Sequence, residues 1–154
     1  MSYKKFDPNY VAEVKISYSS KVPASKRPTI TSSASAAEIL RKHWEPGQLG
    51  FVESFKILLL NRANKVLGIY TVSTGGISGT VADPKTIFIA ALKSSSVSLI
   101  LCHNHPSGNI NPSQADINLT NKIKEAGKLL DISVLDHIIL TEENYFSFLD
   151  SGLL

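Results

Sequence analysis

Val97-Ser98-Leu99-Ile100-Leu101-Cys102-His103-Asn104-His105-Pro106-Ser107-Gly108, followed by Asn111-Pro112-Ser113 and Asp116, is the stretch on which the reading of this chain turns. Its first six residues are apolar or small and read as a buried strand. Side chains on an extended chain alternate, so His103 and His105 point the same way from its end. Two imidazoles so placed can grip one ion. A third ligand is offered by Asp116 on the first turn of a following helix, which would close a three-ligand site and leave a fourth position for water.

That helix has independent support. Asn111 before Pro112 offers a cap with proline at the first helical position, and Leu119, Ile123, Ala126 and Leu130 recur as one apolar stripe. On a wheel of 100° per residue Asp116 falls about 50° from the centre of the stripe, on the core side of the helix. Each feature also has a structural reading: Ser113-x-x-Asp116 is a capping box, and histidines at strand ends are often polar edge residues. Taken together, however, the same short stretch must supply two same-side imidazoles, a tight Pro106-Ser107-Gly108 turn, a serine and an inward acid. A metal site accounts for all of them at once.

These residues resemble the JAMM motif, H-x-H, seven residues, S-x-x-D, of the JAB/MPN metallopeptidase superfamily, and match it at every position. The wider context is similar to the RadC branch: Glu53-Ser54-Phe55 before Leu58-Leu59-Leu60-Asn61, then Ala90-Ala91-Leu92, then Leu135-Asp136-His137-Ile138-Ile139. The likeness covers about residues 50 to 154. It implies that His103, His105 and Asp116 bind zinc, that Glu53 is the general acid/base, and that Ser113 helps to hold the developing oxyanion. Glu53 read without the resemblance is an ordinary acid at a strand start. Two histidines, one aspartate and a water suit zinc, and manganese or iron fit the same ligands. Asp136 and His137 interrupt an apolar strand from Val134 to Leu140, and read as a satisfied core pair or as outer partners of the ligands.

Outward from this centre the order of elements is mixed. Ala12, Val14, Ile16 and Tyr18 alternate with polar residues as in an edge strand, and a linker follows from Lys21 to Thr31. Ser35-Ala36-Ala37-Glu38 resembles a capping box for a short helix whose contacts come from Ile39, Leu40 and Trp44. Phe55 to Leu60 and Val66 to Val72 read as a hairpin around Asn61-Arg62-Ala63-Asn64. Asp83-Pro84 then starts a helix with Ile87, Phe88, Ala91 and Leu92 inward. A last strand and Tyr145-Phe146-Ser147-Phe148 complete the sheet. This order suits an α/β architecture in three layers, α-β-α. The resemblance makes it the cytidine-deaminase-like JAB/MPN fold with a mixed central sheet. Residues 1–45 would form an N-terminal extension of strand, linker and short helix, and residues 46–154 the RadC-like JAB/MPN domain. The extension departs from the RadC pattern, in which many members carry a helix-hairpin-helix module.

Composition sets outer bounds. The chain has 154 residues, 43% of them hydrophobic, enough to bury a core without disulfides. Its one cysteine, Cys102, permits no internal disulfide and reads as a small core residue. No apolar run approaches the roughly 18 residues of a spanning helix and the N-terminus lacks a signal-peptide core, so the expectation is a cytoplasmic protein with no membrane partner. The net charge of +3 is concentrated in residues 1–45. There Lys4-Lys5, Lys21, Lys26-Arg27 and Arg41-Lys42 are candidates for DNA phosphate contacts or for an acidic protein, and equally for plain solvated surface. Gly75-Gly76-Ile77-Ser78-Gly79 is no phosphate cradle, because no Gly-Lys-Ser/Thr follows it.

The expected function is a zinc hydrolase in which a metal-activated water attacks an amide bond, peptide or isopeptide, of a protein or peptide substrate. The alternative is a DNA-repair-associated nucleic-acid-binding protein or nuclease, which salt-dependent DNA binding would favour. A non-catalytic interaction module fits poorly with an intact ligand set. A zinc deaminase is excluded, since its paired cysteine ligands cannot be built from one cysteine.

Overall fold

Alternation along two wholly buried strands organises the molecule, which a computed structural model describes at residue 9 and over residues 11–75 and 81–154. Strands β1 (Ser54–Leu60) and β3 (Ser98–Asn104) are buried at every residue. Strands so nearly continuous in apolar side chains must be covered on both faces. Phe55, Ile57 and Leu59 of β1, with Leu99 and Leu101 of β3, face one core, which helices α2 (Pro84–Lys93) and α3 (Gln114–Leu129) close with Ile87, Phe88, Ala91 and Ile123. Leu58 and Leu60, with Ile100 and Cys102, face the other, where α1 (Ser33–Lys42) contributes Ala36, Ala37 and Leu40, and Trp44 follows it. The result is the three-layer α/β arrangement expected from the sequence.

The five-stranded sheet runs in the order β2-β1-β3-β4-β5, with β2 spanning Val66–Thr74, β4 Ser133–Leu140 and β5 Tyr145–Ser147. The sheet is mixed. β3 and β4 pair in parallel, and the other neighbours pair antiparallel. Parallel neighbours need a crossover, and α3 supplies it. The C-terminal end of β3 therefore lies beside that of β4 while the N-terminus of α3 returns over it, which is where 103, 105 and 116 can meet. The hairpin of β1 and β2 turns at 61–64 as expected, and Asp83 caps α2 by accepting the Lys85 N–H at 2.9 Å.

Several local expectations are corrected. Residues 11–20 form no strand: Val14 and Ile16 are 83% and 75% exposed and the segment lies outside the sheet. Alternation makes a segment compatible with a strand, but pairing on a buried face is what stabilises one. Helix α1 is capped by Ser32, not Ser35, with Ser35 closing the box from the third position. Helix α3 is capped by Ser113 and begins two residues after Pro112, because the Ser113 and Asp116 side chains each accept the other's backbone N–H. Leu92 and Leu130, placed inward by periodicity, are exposed; Leu130 is the cap residue at the C-terminus of α3, where the stripe has run past the sheet. Lys4-Lys5 and the loop residues 76–79 lie outside the described residues. No helix among those described is long and apolar enough to cross a membrane.

Candidate metal centre

His103 is the next-to-last residue of β3, and its odd position turns it toward α3. His105 follows on the same side. The backbone then tightens through Pro106 and Ser107 to Gly108, whose φ of +83° is cheap only for glycine, and the Gly108 N–H closes the turn on the His105 carbonyl at 3.0 Å. Asp116 arrives from the first turn of α3. The ligand-type atoms of the three residues all lie within 4.8 Å of one another. His103 Nε2 and His105 Nε2 are 2.9 Å apart, and the Asp116 carboxylate is 3.3 Å from the first and 3.7 Å from the second. A tetrahedral ion with bonds of about 2.0–2.1 Å spaces its ligands about 3.4 Å apart, and the three separations straddle that value.

The donor atoms fit as well as the spacing. His105 donates its Nδ1–H to the Asn109 carbonyl at 2.6 Å, so the neutral ring presents a lone pair at Nε2, toward His103 and Asp116. Two imidazole nitrogens and a carboxylate oxygen form a ligand set suited to a first-row divalent metal. Burial works against ionisation of Asp116. When the imidazoles are protonated, hydrogen bonds from His103 and His105, the charge of His103 and the Ser113 backbone N–H outweigh it, and hold this carboxyl far below the usual carboxylate range; with the Nε2 protons gone, the same three atoms face one another as donors to a cation. The Asp116 hydrogen bond raises the pKa of His105 against the opposing effect of burial, and the Asn109 carbonyl and the charges of Asp116 and Glu53 add to the rise. The Phe55 ring stacks on His103 with centroids 5.9 Å apart, which covers the imidazole from one side.

Ser113 sits at the rim. Its hydroxyl donates to Asp116 Oδ2 at 2.7 Å and accepts the Asp116 N–H at 3.1 Å. The capping box and the inward acid, rival readings of the sequence, are thus one device: the cap aims the carboxylate. Glu53 is half-buried immediately before β1, near enough for its charge to act on His105. Cys102 points to the opposite face of the sheet, and burial pushes its thiol pKa well up, so it is a core residue and not a nucleophile. Among the basic N-terminal positions, Arg41 donates to the carbonyls of Thr141, Glu142 and Asn144, and Lys42 pairs with Glu38. Arg41 thereby fixes the β4–β5 turn beside the histidine loop, where a polar cavity of about 230 Å³ is lined by Ser107, Gly108, Glu142, Glu143 and Asn144.

One residue of the site was missed in the sequence. Asn104, between the histidines, must by alternation face the other way, and there it is fully buried. Its Nδ2 donates to the carbonyls of Leu49 and Val52, at 2.8 and 2.9 Å, and its Oδ1 accepts the Ser54 N–H at 2.7 Å. These bonds pin the backbone on both sides of Glu53. Replacing Asn104 by Ala leaves one buried and two partly buried backbone groups without their partner, and is expected to lower stability by about 2–4 kcal/mol. Chemical denaturation of the two proteins checks this, and an unchanged midpoint would contradict it.

Comparison with known proteins follows the same lines. The family model described as RadC-like JAB domain matches residues 30–153. The chain is similar to the UPF0758 protein of Flavobacterium johnsoniae, 52% identical over 101 residues, which is 66% of this chain and 44% of that protein. It is 44% identical over 102 residues to the UPF0758 protein of Clostridium tetani, covering 66% of this chain and 45% of the relative. A Clostridium botulinum relative is 46% identical over 100 residues, covering 65% and 44%. The match thus spans less than half the length of these curated relatives.

Proposed function

Because the chain belongs to the RadC-like JAB domain family, we propose that it is a zinc-dependent hydrolase that cleaves an amide bond, peptide or isopeptide, in a protein or peptide substrate. The observation that carries this reading is the convergence of His103, His105 and Asp116 on one point. Zinc held by these three residues would supply Lewis acidity and would lower the pKa of an attacking water to about 7. The remaining work falls to the chain. His103 and His105 hold the ion from β3 and the turn after it, and Asp116 closes the set from α3. Glu53, fixed through Asn104, takes the proton that the attacking water gives up and returns it to the leaving amine. Ser113 releases Asp116 Oδ2 and donates its hydroxyl to the oxygen on which charge develops. The cavity between the 106–108 turn and the β4–β5 turn is the groove we assign to the substrate chain.

The test is zinc content and hydrolysis on the same preparation. Purified protein is reconstituted with zinc, freed of excess metal and assayed by mass spectrometry, then offered peptide and isopeptide-linked substrates. About one zinc per chain, with cleavage that chelator abolishes and zinc restores, is the expected outcome. A protein that stays metal-free after reconstitution would falsify the proposal.

A further inference from the structure

Thr120, one helical turn beyond Asp116, makes two short contacts with its single hydroxyl: 2.6 Å to the Asp116 carbonyl and 2.6 Å to Nδ1 of His137. A carbonyl can only accept, so the one hydroxyl proton must lie on that side; without it two oxygens would face each other at 2.6 Å. Toward His137 the Thr120 oxygen is therefore the acceptor, and His137 carries its proton on Nδ1. His137 is fully buried between the Phe55 and Phe148 rings, surroundings that favour the uncharged imidazole, so with its proton on Nδ1 the ring is neutral. Its Nε2 is then a lone pair. That nitrogen lies 2.8 Å from His103 Nδ1, so His103 donates its Nδ1–H and its own Nε2 is left without a proton.

The chain of hydrogen bonds leaves from the backbone of one candidate ligand, Asp116, and ends on the ring of another, His103. We propose that His137, fixed by Thr120, is a positioning residue that selects the tautomer of His103 and so keeps His103 Nε2 open to a metal ion. The proposal rests on the reading of His103 as a metal ligand. His137 itself is held on three sides: Phe148 stacks on it at 4.7 Å, Phe55 meets it edge-on at 5.5 Å, and its backbone N–H donates to Asp136 Oδ1 at 2.7 Å. Asp136 also accepts from the Ser147 hydroxyl and the Leu149 N–H. The ring cannot turn to offer its other edge without breaking this packing. Without the Thr120 oxygen, His137 gains nothing by keeping its proton on Nδ1. Moving the proton to Nε2 reverses the bond to His103, and places the His103 proton where the ion would sit.

The experiment uses Thr120→Val, which keeps the shape and removes the oxygen, Thr120→Ser, which restores it, and His137→Phe. Zinc affinity is measured by competition with a chromophoric chelator. Histidine tautomers are read from long-range proton–nitrogen spectra of the ¹⁵N-histidine-labelled protein, metal-free and zinc-loaded. In both wild-type states His137 should carry its proton on Nδ1. Thr120→Val and His137→Phe should weaken zinc binding about 10–100-fold, with Thr120→Ser close to wild type, as expected of a partner that orients a ligand. If His137→Phe does not fold, the threonine pair decides. A proton on His137 Nε2 in the wild type, or zinc bound as tightly by Thr120→Val as by the wild type, overturns the relay. A wild type that takes up no zinc overturns the metal reading itself, an outcome distinct from a wild type that binds zinc and a valine variant that binds it equally well.

Discussion

Asp116→Asn is expected to abolish stoichiometric zinc binding and to leave the fold standing. The side chain of residue 116 has two duties, to accept the Ser113 N–H at 2.7 Å and to face His103 and His105. An amide keeps an oxygen for the first duty but has no charge for the second, so helix capping survives while the ligand set loses its anion. His103→Ala removes a nitrogen donor and should lose zinc in the same way. Both losses should exceed the roughly 10–100-fold weakening typical of residues that only orient a ligand. Ser113→Ala is the complementary variant: it keeps the carboxylate and removes the side-chain cap. It should cost about 1 kcal/mol of stability while the protein still binds zinc. Mass spectrometry of metal content and thermal unfolding of the three variants separate the two duties. Zinc retained at one per chain by Asp116→Asn would remove Asp116 from the ligand set.

The second large effect concerns Glu53. In Glu53→Gln the side chain keeps its size but cannot carry a proton between water and leaving group. Hydrolysis should fall by about 100- to 10,000-fold, the contribution of a positioned acid/base. Zinc content should stay at the wild-type level, because the ligand set is untouched. Measuring both quantities on one preparation matters: loss of zinc together with activity would make Glu53 a structural support of the site, and unchanged hydrolysis would send the search for the acid/base elsewhere.

Much of this was legible in the residues because the decisive signals are local. β3 carries an unbroken apolar run at 99–102, and alternation alone puts His103 and His105 on one side. The same alternation, carried one step further, puts Asn104 on the other, and a buried asparagine at a strand end must find partners; that signal was present and passed over. Thr120 was legible too, as the residue four places beyond Asp116 on the same helical face. Its role was not, because the role depends on where β4 lays His137. What failed has a common cause. Residues 11–18 have the pattern of a strand but no place in the sheet, while Leu92 and Leu130 fit a helical stripe that outruns the surface it packs on. Periodicity describes what an element offers, and tertiary contact decides what is used.

The parallel β3-α3-β4 crossover also has a consequence in time. All three candidate ligands and both members of the relay fall within residues 103–137, one contiguous strand-helix-strand unit, whereas Glu53 comes in only when β1 pairs antiparallel with β3. Contacts within a short stretch close sooner than those that span a long loop. A refolding chain should therefore capture metal before it acquires the acid/base, and the onset of a zinc-binding signal should precede that of hydrolysis. On the proposed function, the folding molecule would be a chelator first and a catalyst only once its first strand docks.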